Sequence, residues 1–170
     1  NRKIVQGLIN ELKISEEKQV KVIRAIDKLD KPGFGLKGVE DLLKKERKDQ
    51  SGAITKGADL TDQQAAQILN FLKIKDLKEL KQTLKNQLSQ EGISELENVF
   101  EILGYGSNLN QVKTNFTIVR GLAYYSDFIV ETNLNFKVTN NKGKEVDIGS
   151  ICSGGAYAKL ISRFRGVDIP

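Results

Sequence analysis

The residue types best suited to chemistry lie in two short segments of the last third of the chain. In the first, Arg120 is followed closely by Tyr124 and Tyr125. A guanidinium is a permanent cation, and its planar fork donates several hydrogen bonds at once to a carboxylate or phosphate. Adjacent strand positions face opposite sides, so one tyrosine can reach a site while the other packs. The segment therefore indicates an anion-binding corner beside aromatic hydroxyls.

The second segment ends a predicted strand with paired glycines and reads Gly149-Ser-Ile-Cys-Ser-Gly-Gly-Ala-Tyr157. Gly154 and Gly155 allow the backbone to approach a ligand closely and to present N–H groups at a helix start. Each segment alone is weak evidence, because most glycine-rich turns are only turns and most strand tyrosines pack. Carried on two strands joined by one hairpin, the two segments could line one cleft.

The residue types that are missing exclude several kinds of site. The 170 residues include no His, no Met and one Cys. Without His there is no Ser-His-Asp couple, no imidazole acid–base catalyst and no HExxH zinc site. One Cys allows neither an internal disulfide nor a CxxC knuckle, so a reducing compartment is expected, with Cys152 a small buried residue rather than a nucleophile. The missing initiator Met and the abrupt end at Pro170 suggest a piece of a longer reading frame.

The overall composition is that of a globular domain. Hydrophobic residues make up 39% and charged residues 29% of the chain, and no apolar stretch approaches the roughly 18–20 residues of a membrane helix. No signal-peptide pattern opens the sequence. The net charge of +5 is explained first by background lysine usage and only second by nucleic-acid binding.

The hydrophobic period divides the chain near residue 105. Before that point apolar residues recur at helical spacing, including a stripe of Val20, Ile23, Ile26 and Leu29. The predicted helices cover 4–12, 15–29, 39–46, 61–72, 77–88 and 93–103, with residues 51–59 as a loop. After it we predict strands at 115–119, 128–138 and 146–151, with a hairpin connection at 140–144 and a helix at 156–165. Helices followed by an antiparallel sheet predict an α+β fold.

Both chemical segments resemble the signatures of one family. Arg120-Gly-Leu-Ala-Tyr-Tyr-Ser resembles the first histidine-specific signature of histidyl-tRNA synthetases, RGLDYYTG or RGLEYYTG. Gly149-Ser-Ile-Cys-Ser-Gly-Gly-Ala-Tyr-Ala-Lys-Leu-Ile resembles the second, GSVxGGGRYDxLI. Upstream, Ser51-Gly-Ala-Ile-Thr-Lys-Gly-Ala and neighbouring segments look like the helical insertion of the bacterial form. The resemblance covers essentially the whole chain.

The resemblance implies a piece of a class II aminoacyl-tRNA synthetase. Residues 1–13 would be a helix of the catalytic domain, 14–88 the helical insertion domain, and 89–170 part of the catalytic domain with its antiparallel sheet. In the family, the arginine matched by Arg120 is catalytic and bridges the histidine carboxylate and the ATP α-phosphate. The residues that would bind histidine are Tyr124, Tyr125, Gly154, Gly155 and Tyr157.

The same resemblance implies the partners. These are histidine, ATP (with Mg in the full-length enzyme), the tRNA acceptor stem, and a second copy in a cytoplasmic homodimer, with no membrane and no metal held by this chain. The residues expected to contact tRNA phosphates are Lys44, Lys45, Arg47 and Lys48. The family's motifs one and two and its anticodon-binding domain have no counterpart here, so the chain alone is expected to be inactive.

Several positions depart from the family pattern. Alanines replace charged residues at Ala123, Ala156 and Ala158, and Ser126-Asp127 stands where Thr-Gly is usual. These changes leave two alternatives open beside the ligase. One is a histidine-binding regulatory paralogue, such as the synthetase-like subunit of ATP phosphoribosyltransferase, and the other is a non-catalytic helical binding module. The basic residues near the end of the chain are expected on a solvated helix face: Lys159, Arg163 and Arg165.

Overall fold

In the computed structural model of the chain, a helical block that contains one small antiparallel sheet precedes two further small sheets and a short helix. The structure describes residues 1–48, 52, 54–104, 111–119, 125–157 and 160–167. The helices of these residues are α1 (Arg2–Glu11), α2 (Glu16–Ile26), α3 (Gly35–Lys44), α4 (Asp62–Phe71), α5 (Leu77–Thr83), α6 (Gln87–Gly104) and α7 (Leu160–Arg165). The strands are β1 (Glu46–Lys48), β2 (Ile54–Lys56), β3 (Ile129–Asn133), β4 (Val138–Thr139), β5 (Glu145–Val146) and β6 (Ser150–Gly155). The predicted α+β class is confirmed.

The sheets formed by the described residues are three two-stranded antiparallel pairs. β1 pairs with β2, β3 with β6, and β4 with β5. In the longest pair Val130 lies opposite Gly154, and the register shifts between Thr132 and Asn133. This irregularity explains why the single strand predicted at 128–138 is divided into β3 and β4, since a bulge bends a strand and interrupts its ladder.

Local signals set the helix starts. Thr61 begins α4 with the predicted capping box, in which its side chain accepts from the Gln64 amide and the Gln64 side chain accepts from the Thr61 amide. Asp76 caps α5 by accepting from two backbone amides. Ser15 has the extended backbone of an N-cap but makes no side-chain capping bond. Its hydroxyl lies 3.4 Å from a carboxylate oxygen of Glu17 instead.

The closest helix packing in the described part of the block is between α1 and α6. A Cβ on Gly7 would lie 2.1 Å from Ser89 Oγ, and a Cβ on Gly92 would lie 2.9 Å from Ile4 Cγ1. Glycine at these two positions therefore allows the helices to approach closely. The buried Ser89 hydroxyl donates to the Ile4 carbonyl oxygen at 3.0 Å, which satisfies a polar group that would otherwise be costly to bury.

Several sequence-based expectations for the elements are wrong in detail. The strand predicted at 146–151 is divided between β5 and β6, and the helix predicted at 77–88 ends at Thr83, before α6 begins at Gln87. Val20 is 53% exposed, because a spacing of three falls about 60° short of a full helical turn at each step, so Val20 lies about 120° around α2 from the buried Ile26. The predicted loop at 51–59 contains β2. Residues 115–119 form no strand; Phe116 and Val119 pack into the helical core instead.

The helices of the described residues include none that is both long enough and apolar enough to span a bilayer.

Candidate functional site

Four of the predicted histidine-binding residues lie where β3 and β6 meet. Tyr125 precedes β3 and Tyr157 follows β6, while Gly154 and Gly155 end β6. The rings of the two tyrosines are 6.3 Å apart between centroids and inclined at 57°, a tilted arrangement typical of favourable aromatic pairs. Arg120 and Tyr124, with Ala123 and Ala158, lie outside the described residues.

Backbone hydrogen bonds extend the β3–β6 pair to these tyrosines. The Ser126 amide donates to the Ala156 carbonyl at 2.9 Å, and the Ala156 amide donates to the Phe128 carbonyl at 3.0 Å. The tyrosines differ in exposure: Tyr125 is 7% and Tyr157 51% exposed. Tyr125 therefore acts as the packed wall of the pair, and Tyr157 has the more accessible ring.

The two glycines of the second signature have different roles. A Cβ on Gly155 would lie 2.6 Å from the Phe128 carbonyl oxygen and 2.8 Å from Tyr125 Cδ1. Among the described residues, a Cβ on Gly154 would meet nothing within 4 Å. The space beside Gly155 is thus filled by Tyr125 and the Phe128 carbonyl, whereas the position beside Gly154 is open within the described part of the chain.

An ion-pair network anchors the first signature to the helical block. Lys3 Nζ lies 3.0 Å from Asp127 Oδ1 and also bonds Glu95. The Ser126 hydroxyl donates to Asp127 Oδ2 at 2.5 Å, and the Arg2 amide donates to the Asp127 carbonyl at 2.9 Å. Asp127 is thereby held through both its side chain and its backbone.

The network shifts two pKa values. Burial by itself raises the pKa of Asp127, but the hydrogen bonds from Ser126 and Lys3 and the charge of Lys3 outweigh it and hold that pKa below its ordinary value. Hydrogen bonds to Glu95 and Asp127 raise the pKa of Lys3. Sequence reasoning missed this network, although Ser126-Asp127, standing where Thr-Gly is usual, was a signal for it.

A separate concavity of about 770 Å³ lies beside the β4–β5 hairpin. Its lining includes Asp30, Asn115, Glu131, Phe136 and Asp147. Neither Tyr125 nor Tyr157 lines it, although Gly149 and Ser150 of the second segment do.

The basic residues predicted to contact tRNA divide into two kinds. Lys44 pairs with Glu40 at 3.0 Å and with Asp62 at 2.8 Å, and these hydrogen bonds raise the pKa of Lys44. Arg47 bonds Asp41 at 3.4 Å and lies 4.4 Å from the Phe34 ring centroid.

Lys45 and Lys48 are exposed and make no ion pair within the part of the chain that the structure describes. Lys44 and Arg47 are thus engaged in ion pairs with neighbouring carboxylates, whereas Lys45 and Lys48 point their charges to solvent.

The last candidates are the cysteine, the basic residues near the end of the chain and possible metal ligands. Cys152 is exposed, which corrects the expectation of burial; it lies in β6 on a two-stranded sheet whose faces are not covered by the helical core. Arg165 is exposed on α7, as expected, while Lys159 and the side chain of Arg163 lie outside the described part of the chain. Within the described ranges, no three His, Cys, Asp or Glu side chains converge as metal ligands would.

Comparison with known proteins gives one consistent result. No family model matches the chain. A histidine–tRNA ligase of Pelagibacter ubique is 77% identical over 170 residues, which is 100% of this chain and 37% of the ligase. A histidine–tRNA ligase of Bartonella quintana is 39% identical over 181 residues, covering 36% of its own length.

A solved structure agrees with the sequence relatives. The crystal structure of histidyl-tRNA synthetase from Nostoc sp. PCC 7120 matches with a TM-score of 0.70 and 29% identity, covering 99% of this chain and 36% of that one. The chain thus spans little more than a third of the length of the relatives it matches. The family resemblance predicted from the two signatures is confirmed, and the chain is related over its whole length to part of a histidine–tRNA ligase.

Proposed function

We propose that the chain is the part of a histidine–tRNA ligase that carries the helical insertion and the histidine pocket. The whole ligase would activate histidine with ATP and transfer it to tRNA. The observation that carries the proposal is the meeting of Tyr125 and Tyr157 across β3 and β6, in a chain 77% identical over its full length to a histidine–tRNA ligase.

The first step of the proposed reaction joins two anions. A carboxylate oxygen of histidine attacks the α-phosphorus of ATP, and pyrophosphate leaves with the electrons of the broken P–O bond. Arg120 would bridge the carboxylate and the α-phosphate and stabilise the charge that develops between them. Mg would accompany the ATP phosphates in the whole enzyme.

Histidine itself would be held by the aromatic pair. A phenol can hydrogen-bond an imidazole nitrogen, and a ring can pack on the imidazole face. The exposed Tyr157 is the better placed for the first role and the packed Tyr125 for the second. Tyr124 and the open backbone at Gly154 would complete the pocket, with Gly155 supporting Tyr125.

The domain and partner assignments remain part of the proposal. Residues 1–13 and 89–170 would belong to the catalytic domain, which the packing of α1 on α6 supports, and residues 14–88 would be the insertion. The insertion would hold the tRNA acceptor stem through phosphate contacts, led by Lys45 and Lys48. The whole ligase would be a cytoplasmic homodimer.

The regulatory paralogue is the second candidate, because the departures at Ala123, Ala156 and Ala158 remove charges that a catalytic site would use. The insertion favours the ligase, since a tRNA-contacting domain has no use in an enzyme regulator. A plain helical binding module is disfavoured by the paired signatures.

The test is a chimera in which these 170 residues replace the matching segment of the Pelagibacter ubique ligase. We expect histidine-dependent exchange of pyrophosphate into ATP within about tenfold of the parent, and a loss of at least about 100-fold with Arg120→Ala. Arg24→Ala, an exposed position on α2, is the matched control and should leave exchange unchanged. A folded chimera that binds histidine but neither exchanges pyrophosphate nor charges tRNA would favour the regulatory paralogue.

A further inference from the structure

The segment from Tyr125 to Phe128 is connected both to β6 and to the helical block. It belongs to a two-stranded pair, and such ribbons are marginal without support from a third strand or a helix. Its described support comes from the ladder bonds to Ala156, from the packing of Tyr125 on Gly155, and from the first turn of α1. Of these three, the bond to α1 is the one that ties the segment to the helical block.

The contact with α1 is made by one residue in two ways. The Asp127 carbonyl accepts from the Arg2 amide, one of the first-turn amides that a helix leaves without an internal partner. The Asp127 carboxylate accepts from Lys3 Nζ on one oxygen and from the Ser126 hydroxyl on the other. A negative charge is also favourable at this end of a helix.

The Lys3 ammonium group also contacts α6. Lys3 Nζ bonds Glu95, and the Asn1 amide group donates to the same carboxylate at 2.8 Å. The side chains of Lys3 and Asp127 are only 28% and 21% exposed, so solvent screens their attraction less than at the surface. Lys3 is therefore a bridge between a rigid helix pair and the loop that carries Tyr125.

We propose that Lys3 and Asp127 are positioning residues, which hold Tyr125 against Gly155 and Tyr157 by fixing the loop between them to α1. They act through Ser126, whose amide bonds Ala156 and whose hydroxyl bonds Asp127. The consequence for histidine binding rests on the proposed function, but the positioning itself does not.

The first experiment measures positioning in the ligand-free 170-residue chain. Lys3→Met and Asp127→Asn keep side-chain shape and remove one charge each, and Glu95 keeps its bond to Asn1. We expect amide hydrogen exchange at Ser126 and Ala156 to become about fivefold faster, the size of a partly buried ion pair. The nuclear Overhauser effects between the Tyr125 and Tyr157 rings should weaken.

A double-mutant cycle separates positioning from general destabilisation. Because the two residues act through each other, the double variant should exchange no faster than either single one, and Lys3→Arg should restore most of the protection. Lys81→Met, which removes the exposed pair with Glu97 on α5 and α6, is the matched control. The Asn140 amide, bonded to Lys144 in the distal hairpin, is the internal reference. Lys81→Met should leave hydrogen exchange at Ser126 and Ala156 unchanged, and exchange at Asn140 should be the same in every variant.

The second experiment measures the consequence in the chimera. Lys3→Met and Asp127→Asn should raise the KM for histidine about fivefold and leave the KM for tRNA unchanged. Unaltered exchange at Ser126 and Ala156, or additive effects in the cycle, would overturn the positioning role. An inactive parent chimera would count against the proposed function. The amide hydrogen exchange of the 170-residue chain would still decide whether Lys3 and Asp127 position Tyr125.

Discussion

The helical block and the sheet region differ in where their apolar residues lie. In residues 1–104 the described part of the chain exposes five large hydrophobic side chains, namely Val20, Leu36, Ile54, Ile102 and Leu103. In residues 125–167 the exposed ones are Val130, Phe136, Val146, Ile148, Ile151, Tyr157, Ile161, Phe164 and Val167. The block closes a core of its own, whereas the sheet region depends on strand pairing and a few specific contacts. The geometry of the site in the sheet region should therefore change with single substitutions that would leave the structure of the helical block unaltered.

The largest expected effect is in the core of the block. Phe71 is 1% exposed and Ile151 is 52% exposed. Phe71→Ala removes a buried ring and leaves a cavity, so it should lower the free energy of unfolding by about 3–5 kcal/mol. Ile151→Ala should change it by less than about 0.5 kcal/mol. Urea denaturation followed by circular dichroism makes the comparison, and equal losses in the two variants would contradict it.

The next effect separates the two glycines of the second signature. Gly155→Ala forces a methyl group against the Phe128 carbonyl and the Tyr125 ring, and should destabilise the sheet region by about 1–3 kcal/mol. Gly154→Ala enters open space and should be near neutral, which makes it the matched control. The measurement is amide exchange along β3 and β6. Equal exchange in both variants would show that Tyr125 does not depend on Gly155.

A smaller effect concerns pH. The folded-state pKa of Asp127 is lowered, so its contribution to stability is present above the unfolded value of about 3.9 and is lost as pH falls through the folded value. The charged groups facing it are Lys3 and, beyond Lys3, Glu95. We expect a contribution of up to about 1 kcal/mol.

Asp127→Asn should remove this component of the acid dependence between about pH 5 and pH 2. Thermal unfolding at a series of pH values tests it, with Asp30→Asn, an exposed position after α2, as the control. An unchanged pH dependence in Asp127→Asn would mean that the ion pair with Lys3 is not formed in solution.

The smallest expected effect concerns the basic residues at 44–48. Lys45→Ala with Lys48→Ala should reduce the dependence of RNA affinity on salt by about 0.7–0.9 in log slope for each phosphate that the variant no longer binds, without changing the melting temperature. Lys44→Ala with Arg47→Ala should lower the melting temperature, because it breaks the pairs with Glu40, Asp41 and Asp62. A salt titration with an acceptor-stem duplex checks this. An unchanged salt dependence in both variants would show that these basic residues do not contact RNA phosphates.

Much of the fold could be predicted because its signals are local. The capping box of Thr61 and Gln64 involves residues three apart, and it is confirmed bond for bond. The hairpin at 140–144 is also confirmed, with the Asn140 amide bonded to the Lys144 carbonyl. The errors came where local signals were ambiguous: three β-branched residues at 117–119 suggest a strand, yet Val119 serves the helical core.

In the candidate site, too, some features followed from the sequence and others only from the structure. The order and spacing of the two signatures determined by themselves the family and the meeting of Tyr125 with Tyr157, because a hairpin brings its two ends together whatever surrounds it. The structure alone decided that Gly155 is packed while Gly154 is open, and that Arg47 is paired while Lys48 is exposed.

The anchor of the first signature was decided by the tertiary structure as well. Lys3 and Glu95 are 92 positions apart, and Asp127 lies further still along the chain. Hydrophobic period and turn chemistry report on neighbours within a few residues, so they determined most of the helices and the turns, while the resemblance of the two signatures indicated the family. Which distant charges meet depends on how the α1–α6 crossing and the β3–β6 pair are oriented, and only the packed chain sets that orientation.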